Sequence, residues 1–390
     1  MRAVVYRGVN DLRLETVPVP RIGAHELLVK VAVCGVCPTD IKKIQYGTVP
    51  PPRIFGHETA GTIVKIGAGG ASVPASRRSK PDGGASVLAS RFKIGDRVAL
   101  HHHVPCLDCH FCRHHAFAQC ATYKRTGITA GFEPAGGGYA EYVRVMPFVL
   151  PGVVKIPAKN SFAEGAMLEP VNTVLKAVRR LNLMRGDAVL VAGQGPIGLM
   201  FTRLLQLAGA RVLATDLLAS RLRLARKFGA TRAVLASQLS TLNSQLDAAI
   251  VAVPSDAAVH QALQLVRGGG QVLLFAHTRR CAPVEGRETR AERRKALTLD
   301  ARRLGAPKLS EGGSTLDFSS ICLDEKDLIG SYSSDFTLQA EVARLVFSRR
   351  LDVRQLITHY FPLAETAKAV ALAAQPKPDS LKIMVLAGND

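Results

Sequence analysis

The stretch AVLVAGQGPIGLM, Ala188 to Met200, runs five apolar residues into three glycines at fixed spacing, Gly193-x-Gly195-x-x-Gly198. The apolar run predicts a buried strand, and the spacing from Pro196 onward predicts a helix, so the glycines fall in the turn between them. There Gly193 permits the tight turn, Gly195 lets backbone approach a pyrophosphate, and Gly198 lets helix and strand pack closely. Pro196 and Ile197 open the helix, whose N-terminus faces the phosphates. The next strand, RVLATD, ends at Asp216, where a carboxylate accepts hydrogen bonds from the ribose hydroxyls of a bound dinucleotide. Arg221 and Arg223 follow closely and temper that negative charge.

Outward from this turn, strands and helices alternate: SRLRLARKFG reads as a helix, AAIVAV as a strand, AVHQALQLV as a helix and QVLLFA as a strand. That is the rhythm of a doubly wound parallel sheet. Upstream the texture differs. AVVYRG, LRLETV, ELLVKVAVCGV and TAGTIVKIG read as short strands punctuated by Gly and Pro, and DRVAL and YAEYVRV continue the pattern. The change falls near Ser161, which with Glu164 forms a capping-box pattern at the head of a helical stretch, SFAEGAMLEPVNTVLKAVRRLNL. The tail carries two helical segments and the strand LKIMVLA, expected to return to the first domain. The expected fold class is therefore α/β, divided into residues 1–160, 161–332 and a returning segment 333–390.

A chain of 390 residues is long for one core. No apolar run reaches membrane-spanning length, and MRAVVYRGVNDLRLE lacks a signal-peptide pattern, so a cytoplasmic protein is expected. Of the net charge of +20, +7 falls in two loop-like segments, Ala71–Ser90 and Arg279–Gly313 (an insertion over 279–313). Solvated surface loops account for them. A polyanion-binding role through these segments is the competing reading from a different class, and nucleic acid is not the expected partner.

Two sets of metal-ligating residue types stand out. Cys106, Cys109, Cys112 and Cys120 crowd into fifteen residues, which in a reducing compartment points to a metal lobe (about 101–121). The second set is scattered: Cys37 in CGVCPTD, His57 and Glu58 in FGHE, and Glu169 in LEP. One Cys, one His and one or two carboxylates make a zinc set that leaves a position open for water or substrate.

With these motifs in this order, together with KIGDRV, GGGYAEYV and LEPVNTV, the chain resembles the zinc-dependent alcohol dehydrogenases of the medium-chain dehydrogenase/reductase superfamily, in the polyol (sorbitol) and threonine dehydrogenase branch. The resemblance implies a GroES-like β-rich catalytic domain and a Rossmann domain. It implies two zincs per subunit, one closed and structural in the four-cysteine lobe, one catalytic on Cys37, His57 and Glu169, with Glu58 beside it. It makes Asp40 the carboxylate that orients His57, Thr39 the hydroxyl that relays the alcohol proton, and Thr173 a wall of the nicotinamide site. Pro38 and Lys42 depart from the family pattern, Lys42 standing where the relay often ends in histidine.

The expected function is oxidation of a secondary alcohol, a polyol or amino alcohol, to a ketone by hydride transfer to NAD. L-threonine 3-dehydrogenase and a general alcohol dehydrogenase are narrower and broader versions of it, and a zinc-free quinone-reductase-like relative is opposed by the intact ligand set. His103, three residues before Cys106, is a candidate for holding a second polar group of the substrate. A homo-oligomer, dimer or tetramer, is expected.

Overall fold

The run Ala188–Ala192 forms an inner strand of a six-stranded sheet in the computed structural model, which describes residues 1–68, 89–101, 104–122, 136–241, 245–276 and 318–388. His103 and the segment Arg279–Gly313 lie outside the described residues, as do 71–88 of the first basic segment.

The N-terminal half supplies β1 (Arg2–Gly8), β2 (Asp11–Thr16), β3 (Leu27–Gly35), β4 (Arg53–Ile54), β5 (Glu58–Ile66), β6 (Arg97–Leu100), β7 (Tyr142–Val145) and β8 (Val154–Lys155). Then come β9 (Ala188–Ala192), β10 (Arg211–Asp216), β11 (Arg232–Leu235), β12 (Leu246–Val251), β13 (Val266–Leu274) and β14 (Asp327–Gly330), followed by β15 (Ile357–Pro362) and β16 (Lys382–Leu386). The helices that matter below are α1 (Pro38–Tyr46), α2 (His110–Arg113), α3 (Phe162–Ala166), α4 (Leu168–Val178), α5 (Pro196–Leu207) and α6 (Gln339–Phe347).

Strands β9–β14 pair in parallel in the order β11-β10-β9-β12-β13-β14. The order reverses between β9 and β12, the place where open α/β sheets take their ligands. β9 is buried on both faces: Val189 and Val191 enter one core cluster and Leu190 the other, as the two-residue period of a strand requires. The other half holds a three-stranded sheet, β2-β1-β4, and a seven-stranded sheet, β15-β16-β3-β5-β6-β8 with β7 on β3. β16 lies antiparallel to β3, with Met384 opposite Gly35 and Val385 opposite Cys34. The tail therefore divides: β16 completes the β-rich sheet, while Val342 and Val346 of α6 join the core of the parallel-sheet half.

Two local features depart from the sequence reading. Residues 38–46, left among strands, form α1: Cys37 is its N-cap, Pro38 sits in the first turn, and Gly47, at φ 62°, closes it. The single helical stretch after Ser161 is two helices, broken at Met167. Pro170 has no N–H to return to the carbonyl four residues back, so α3 ends and α4 begins anew. The capping box itself is present, with Ser161 Oγ accepting from Glu164 N–H and Glu164 Oε2 accepting from Ser161 N–H.

Candidate active site and metal centres

The glycine turn follows β9 directly, at the switch point. Gly193 has φ 93°, and a Cβ there would run into Val253 at the end of the neighbouring strand segment. A Cβ at Gly198 would strike the carbonyl oxygen of Gly193, so the close helix–strand approach depends on glycine. Gly195, the N-cap of α5, faces open space instead, which is the cradle a phosphate needs. Asp216 ends β10 beside this turn. Its Oδ2 accepts from Gln194 N–H at 2.6 Å and its Oδ1 from Leu218 N–H at 2.9 Å, while Arg221 Nη1 stands 3.8 Å away. The turn and the carboxylate are thus one hydrogen-bonded unit, and these residues fit a dinucleotide.

The scattered metal set also converges. Cys37 ends the segment after β3 and caps α1, with Thr39 N–H donating to its Sγ at 3.5 Å. His57 and Glu58 stand at the head of β5, whose Glu58 is the register partner of Gly35 on β3. The ligand atoms of Cys37, His57 and Glu58 all lie within 4.8 Å of one another. Zinc arms of about 2.0–2.3 Å make ligand–ligand edges of roughly 3.3–3.8 Å, so small shifts suffice to gather these atoms around one ion. His57 Nδ1 donates to Asp40 Oδ1 at 3.2 Å, which leaves Nε2 for a metal. Burial opposes charge on His57, but the adjacent Asp40 carboxylate prevails and holds the imidazole well above its usual value. Asp40 is fully buried, and its Oδ2 accepts no hydrogen bond, an arrangement that suits a site completed by a cation.

Glu169, on the first turn of α4, is also buried, yet it does not share the tight spacing of the other three. Burial pushes its acid up to about 7; His57 pulls against that and Glu58 adds to it. Thr173, one turn along α4, donates its hydroxyl to Pro170 O at 2.8 Å.

Sequence reasoning missed two groups here. Lys382 of β16 is buried and donates to Glu58 Oε1 at 2.6 Å and to Val36 O at 3.0 Å. Tyr332 follows β14. It is half exposed, and its partial burial raises the phenol; the neighbouring Cys37 and Glu169 charges raise it further, with His57 opposing. α4 holds that loop in place: Lys176 Nζ donates to Tyr332 O at 2.9 Å, and Asn172 exchanges hydrogen bonds with the backbone of Asp335 at 2.9 and 2.8 Å. No signal in the sequence marks either residue, because strand pairing and loop docking bring them in. The β-rich half also touches this loop, through His101 Nε2 and Ser334 Oγ at 3.4 Å.

The four-cysteine lobe is compact. Cys106 and Cys109 flank the turn into α2, Cys112 lies on α2, and Cys120 follows a short 3-10 turn. Sγ atoms of Cys106 and Cys112 are 3.9 Å apart and those of Cys109 and Cys112 3.5 Å. A tetrahedron with 2.3 Å zinc–sulfur arms has edges of about 3.8 Å, so the donor set fits zinc and is closed by its own four members. Backbone N–H groups already point at the sulfurs: Cys109 N–H at Cys106 Sγ, 3.4 Å, and Cys106 N–H at Cys120 Sγ, 3.5 Å. Burial, then the sulfur of Cys109, pushes the Cys112 thiol up to about 12, whereas at Cys106 burial is outweighed by the Asp108 and Cys109 N–H groups, which draw the thiol below its usual value; a cation would favour the thiolate form at both.

A surface groove of about 750 Å³ between β8 and α6, lined by residues such as Lys155, Lys159, Arg344 and Arg350, shares no residue with either set. Among the described residues no helix is long and apolar enough to cross a membrane.

Comparison with known proteins agrees with this geometry. Residues 23–158 match the alcohol dehydrogenase GroES-like domain, and residues 196–298 match the zinc-binding dehydrogenase domain. The sorbitol dehydrogenase of Bacillus subtilis (strain 168) is 27% identical over 399 residues, covering 99% of this chain and 97% of its own length. Human sorbitol dehydrogenase is 25% identical, over 94% of this chain and 91% of its own. Among solved structures, the 2R,3R-butanediol dehydrogenase from Bacillus subtilis superposes with a TM-score of 0.73 at 22% identity, covering 100% of this chain and 99% of that one. Galactitol-1-phosphate dehydrogenase from Escherichia coli gives 0.73 at 23%, covering 99% and 100%. The chain belongs to the zinc-dependent alcohol dehydrogenases of the medium-chain dehydrogenase/reductase superfamily. It is accordingly an oxidoreductase that acts on CH–OH donors with zinc and a nicotinamide dinucleotide.

Proposed function

We propose that the substrate is a polyol or another alcohol with a polar group beside the reacting hydroxyl, and that the electron acceptor is NAD. The observation that carries the reading is the mixed set of half-buried Cys37 with buried His57 and Glu58, and buried Glu169 beside it, in a chain that aligns with sorbitol dehydrogenases over nearly its whole length. Cys37, His57 and a carboxylate, Glu169 or Glu58, hold the catalytic zinc; Cys106, Cys109, Cys112 and Cys120 hold a second, structural one.

When bound, the catalytic zinc supplies Lewis acidity that makes an alcohol proton easier to remove. A dinucleotide seated on the glycine turn would supply the hydride acceptor. Asp40 fixes the His57 ring through Nδ1, so that Nε2 would be the nitrogen offered to the metal. Thr39, in the first turn of α1, takes the alcohol proton, and half-buried Lys42 stands three residues further along the same helix. Gly193, Gly195, Pro196, Ile197 and Gly198 seat the pyrophosphate, Asp216 and Arg221 hold the adenosine ribose, and Thr173 borders the nicotinamide.

We also divide the chain as 1–160, 161–332 and 333–390, and place it in a reducing cytoplasm, where thiolate ligands persist; the described cysteines are all free thiols. A homo-oligomer fits the exposure of Phe318 and Leu323 (71% and 82%) just ahead of the edge strand β14.

The test is a substrate panel of sorbitol, threonine and 2-butanol, followed by NADH absorbance. Sorbitol is expected to give the highest kcat/KM. If 2-butanol does, the polar-neighbour reading fails; if threonine does, the enzyme is an amino-alcohol dehydrogenase. Asp216 would face the extra phosphate of NADP, and like charges about 4 Å apart repel by about 1 kcal/mol in water and about 4 at intermediate dielectric. NAD should therefore be preferred roughly fivefold to several-hundredfold, Arg221 tempering the effect. Equal efficiency with both cofactors would overturn that assignment.

A further inference from the structure

We infer that Gln194 is a positioning residue that sets coenzyme preference: its buried side chain holds the glycine turn against Asp216 and keeps that carboxylate from Arg221. The inference deepens, and rests on, the reading that Asp216 faces the adenosine ribose. Gln194 stands between two glycines of a turn that faces a ligand, yet it is 0% exposed, as is Thr202 further along α5. Both ends of its amide are engaged. Nε2 donates to Val191 O at 2.9 Å, and Oε1 accepts from Thr202 Oγ1 at 3.0 Å. Burying an amide costs free energy unless it is hydrogen-bonded, and a donor partner at one end with an acceptor partner at the other leaves it a single orientation. The side chain therefore hooks β9, the turn and α5 together from the protein side.

What the hook fixes is a peptide group. Gln194 N–H donates to Asp216 Oδ2 at 2.6 Å and Gly193 N–H to Thr215 O at 2.8 Å, so two successive groups pin the turn to the end of β10. Leu218 N–H donates to Asp216 Oδ1 at 2.9 Å, and the carboxylate cannot rotate without breaking a charge-assisted hydrogen bond. Of its roughly four lone-pair sites the main chain fills two, and two remain for ribose hydroxyls. Arg221, on the helix Ala219–Lys227, stands beside this arrangement. Its Nη1 lies 3.8 Å from Oδ2, the oxygen that Gln194 N–H holds, and its Nε is buried with no hydrogen-bond partner among the described residues. Main chain and guanidinium thus compete for one oxygen. While the turn keeps it, Asp216 presents negative charge to the ribose and repels the extra phosphate of NADP. Once the turn lets go, the carboxylate pairs with Arg221, its charge is answered, and the barrier to NADP falls.

The experiment titrates the zinc-loaded enzyme with NADH and with NADPH. The chain has no tryptophan, so the fluorescence of the reduced nicotinamide itself reports binding. Wild type is compared with Gln194→Ala, Thr202→Val, Thr202→Ser and the Gln194→Ala/Arg221→Ala double variant. Gln194→Ala should weaken NADH about tenfold, the scale of one hydrogen bond to a charged group, and narrow the preference for NADH over NADPH by about that factor or more. It should also raise KM for NAD more than it lowers kcat. Thr202→Val should move the preference the same way by a smaller factor, since Thr202 acts only through the Gln194 amide. Thr202→Ser keeps the hydroxyl and should hold the wild-type preference. In the double variant NADPH should lose what the single variant gained, because that gain runs through Arg221. If Gln194→Ala does not fold, Thr202→Val carries the same expectation. A wild-type preference in the folded Gln194→Ala or, failing that, Thr202→Val enzyme, even with a lower melting temperature, overturns the inference and leaves the pair as core packing. Asp216→Ala separates the two levels: wild-type affinity for both coenzymes in that variant overturns instead the ribose assignment on which the inference rests.

Discussion

The two sets of candidate metal ligands in this protein are built on opposite plans. In the four-cysteine lobe all ligands fall between Cys106 and Cys120, all are sulfur, and the backbone N–H groups that tune them come from the same loop. In the cleft, the ligands come from the ends of different elements and mix sulfur, nitrogen and oxygen, and a buried cation arrives from a strand 324 residues away. A closed, local set folds a loop. An open, assembled set needs the whole fold to bring it together, and it holds a carboxyl that burial pushes up to about 7.

Paired serine substitutions give the largest expected contrast. Cys37→Ser should lower turnover by at least about a thousandfold while leaving the melting temperature nearly unchanged, since metal chemistry contributes several kcal/mol to the barrier. Cys109→Ser should instead cost stability and lobe folding, because metal binding there is folding energy. Elemental analysis should count two zincs in wild type and one in each variant; a wild-type protein saturated at one zinc would collapse the distinction.

A second test compares two buried glutamates five residues apart. Glu164 accepts from Ser161 N–H, Asn160 and Arg349, which together outweigh burial and hold its acid below the usual range. Its contribution is present above the unfolded pKa and lost as pH falls through the folded one, and Glu164→Gln should cost about 1–3 kcal/mol near neutrality. Glu169 runs the other way. With its acid raised to about 7, the stripped native protein holds a proton that the unfolded chain has released, so stability falls as pH rises from about 4.5 to about 7. In metal-free protein Glu169→Gln should therefore stabilise by up to about 3 kcal/mol above pH 7 and by little near pH 4. Denaturant melts across this range check both signs; parallel pH slopes for the two variants would erase the contrast.

The smallest effect is expected from trimming Ala71–Ser90 and Arg279–Gly313. Both metals should stay bound and kcat should remain within a few-fold. Complete loss of activity in zinc-loaded protein would give one of these segments a place in the site.

What could be read in advance follows the same division. The lobe was legible because its spacing is local, and the dinucleotide turn because Gly193 and Gly198 answer steric demands that no other residue meets. The parallel sheet was legible from the alternation of buried runs with helical periods. Cys37, His57, Glu58 and Glu169 were legible only as residue types; their convergence depends on Gly35 pairing with Glu58 across β3 and β5. Lys382 and Tyr332 were hidden, because a lysine opening a terminal strand and a tyrosine in an irregular loop have ordinary neighbours in sequence. α1 was overlooked because nine residues carry too little periodicity, although Pro38 and Gly47 mark its ends.

The pairing of β16 with β3 sets a timetable for the growing chain. Leu27 leaves the ribosome 355 residues before Lys382 does, a wait of roughly 20–70 s at 5–20 residues per second. Until then the nascent β3 presents an unpaired edge on the side that β16 will cover, and Glu58 has no cation beside it. Protein made in that interval carries Cys37, His57 and Glu58 without the buried ammonium that donates to Glu58 in the finished fold, so the electrostatics of the cleft are completed only once β16 has been made.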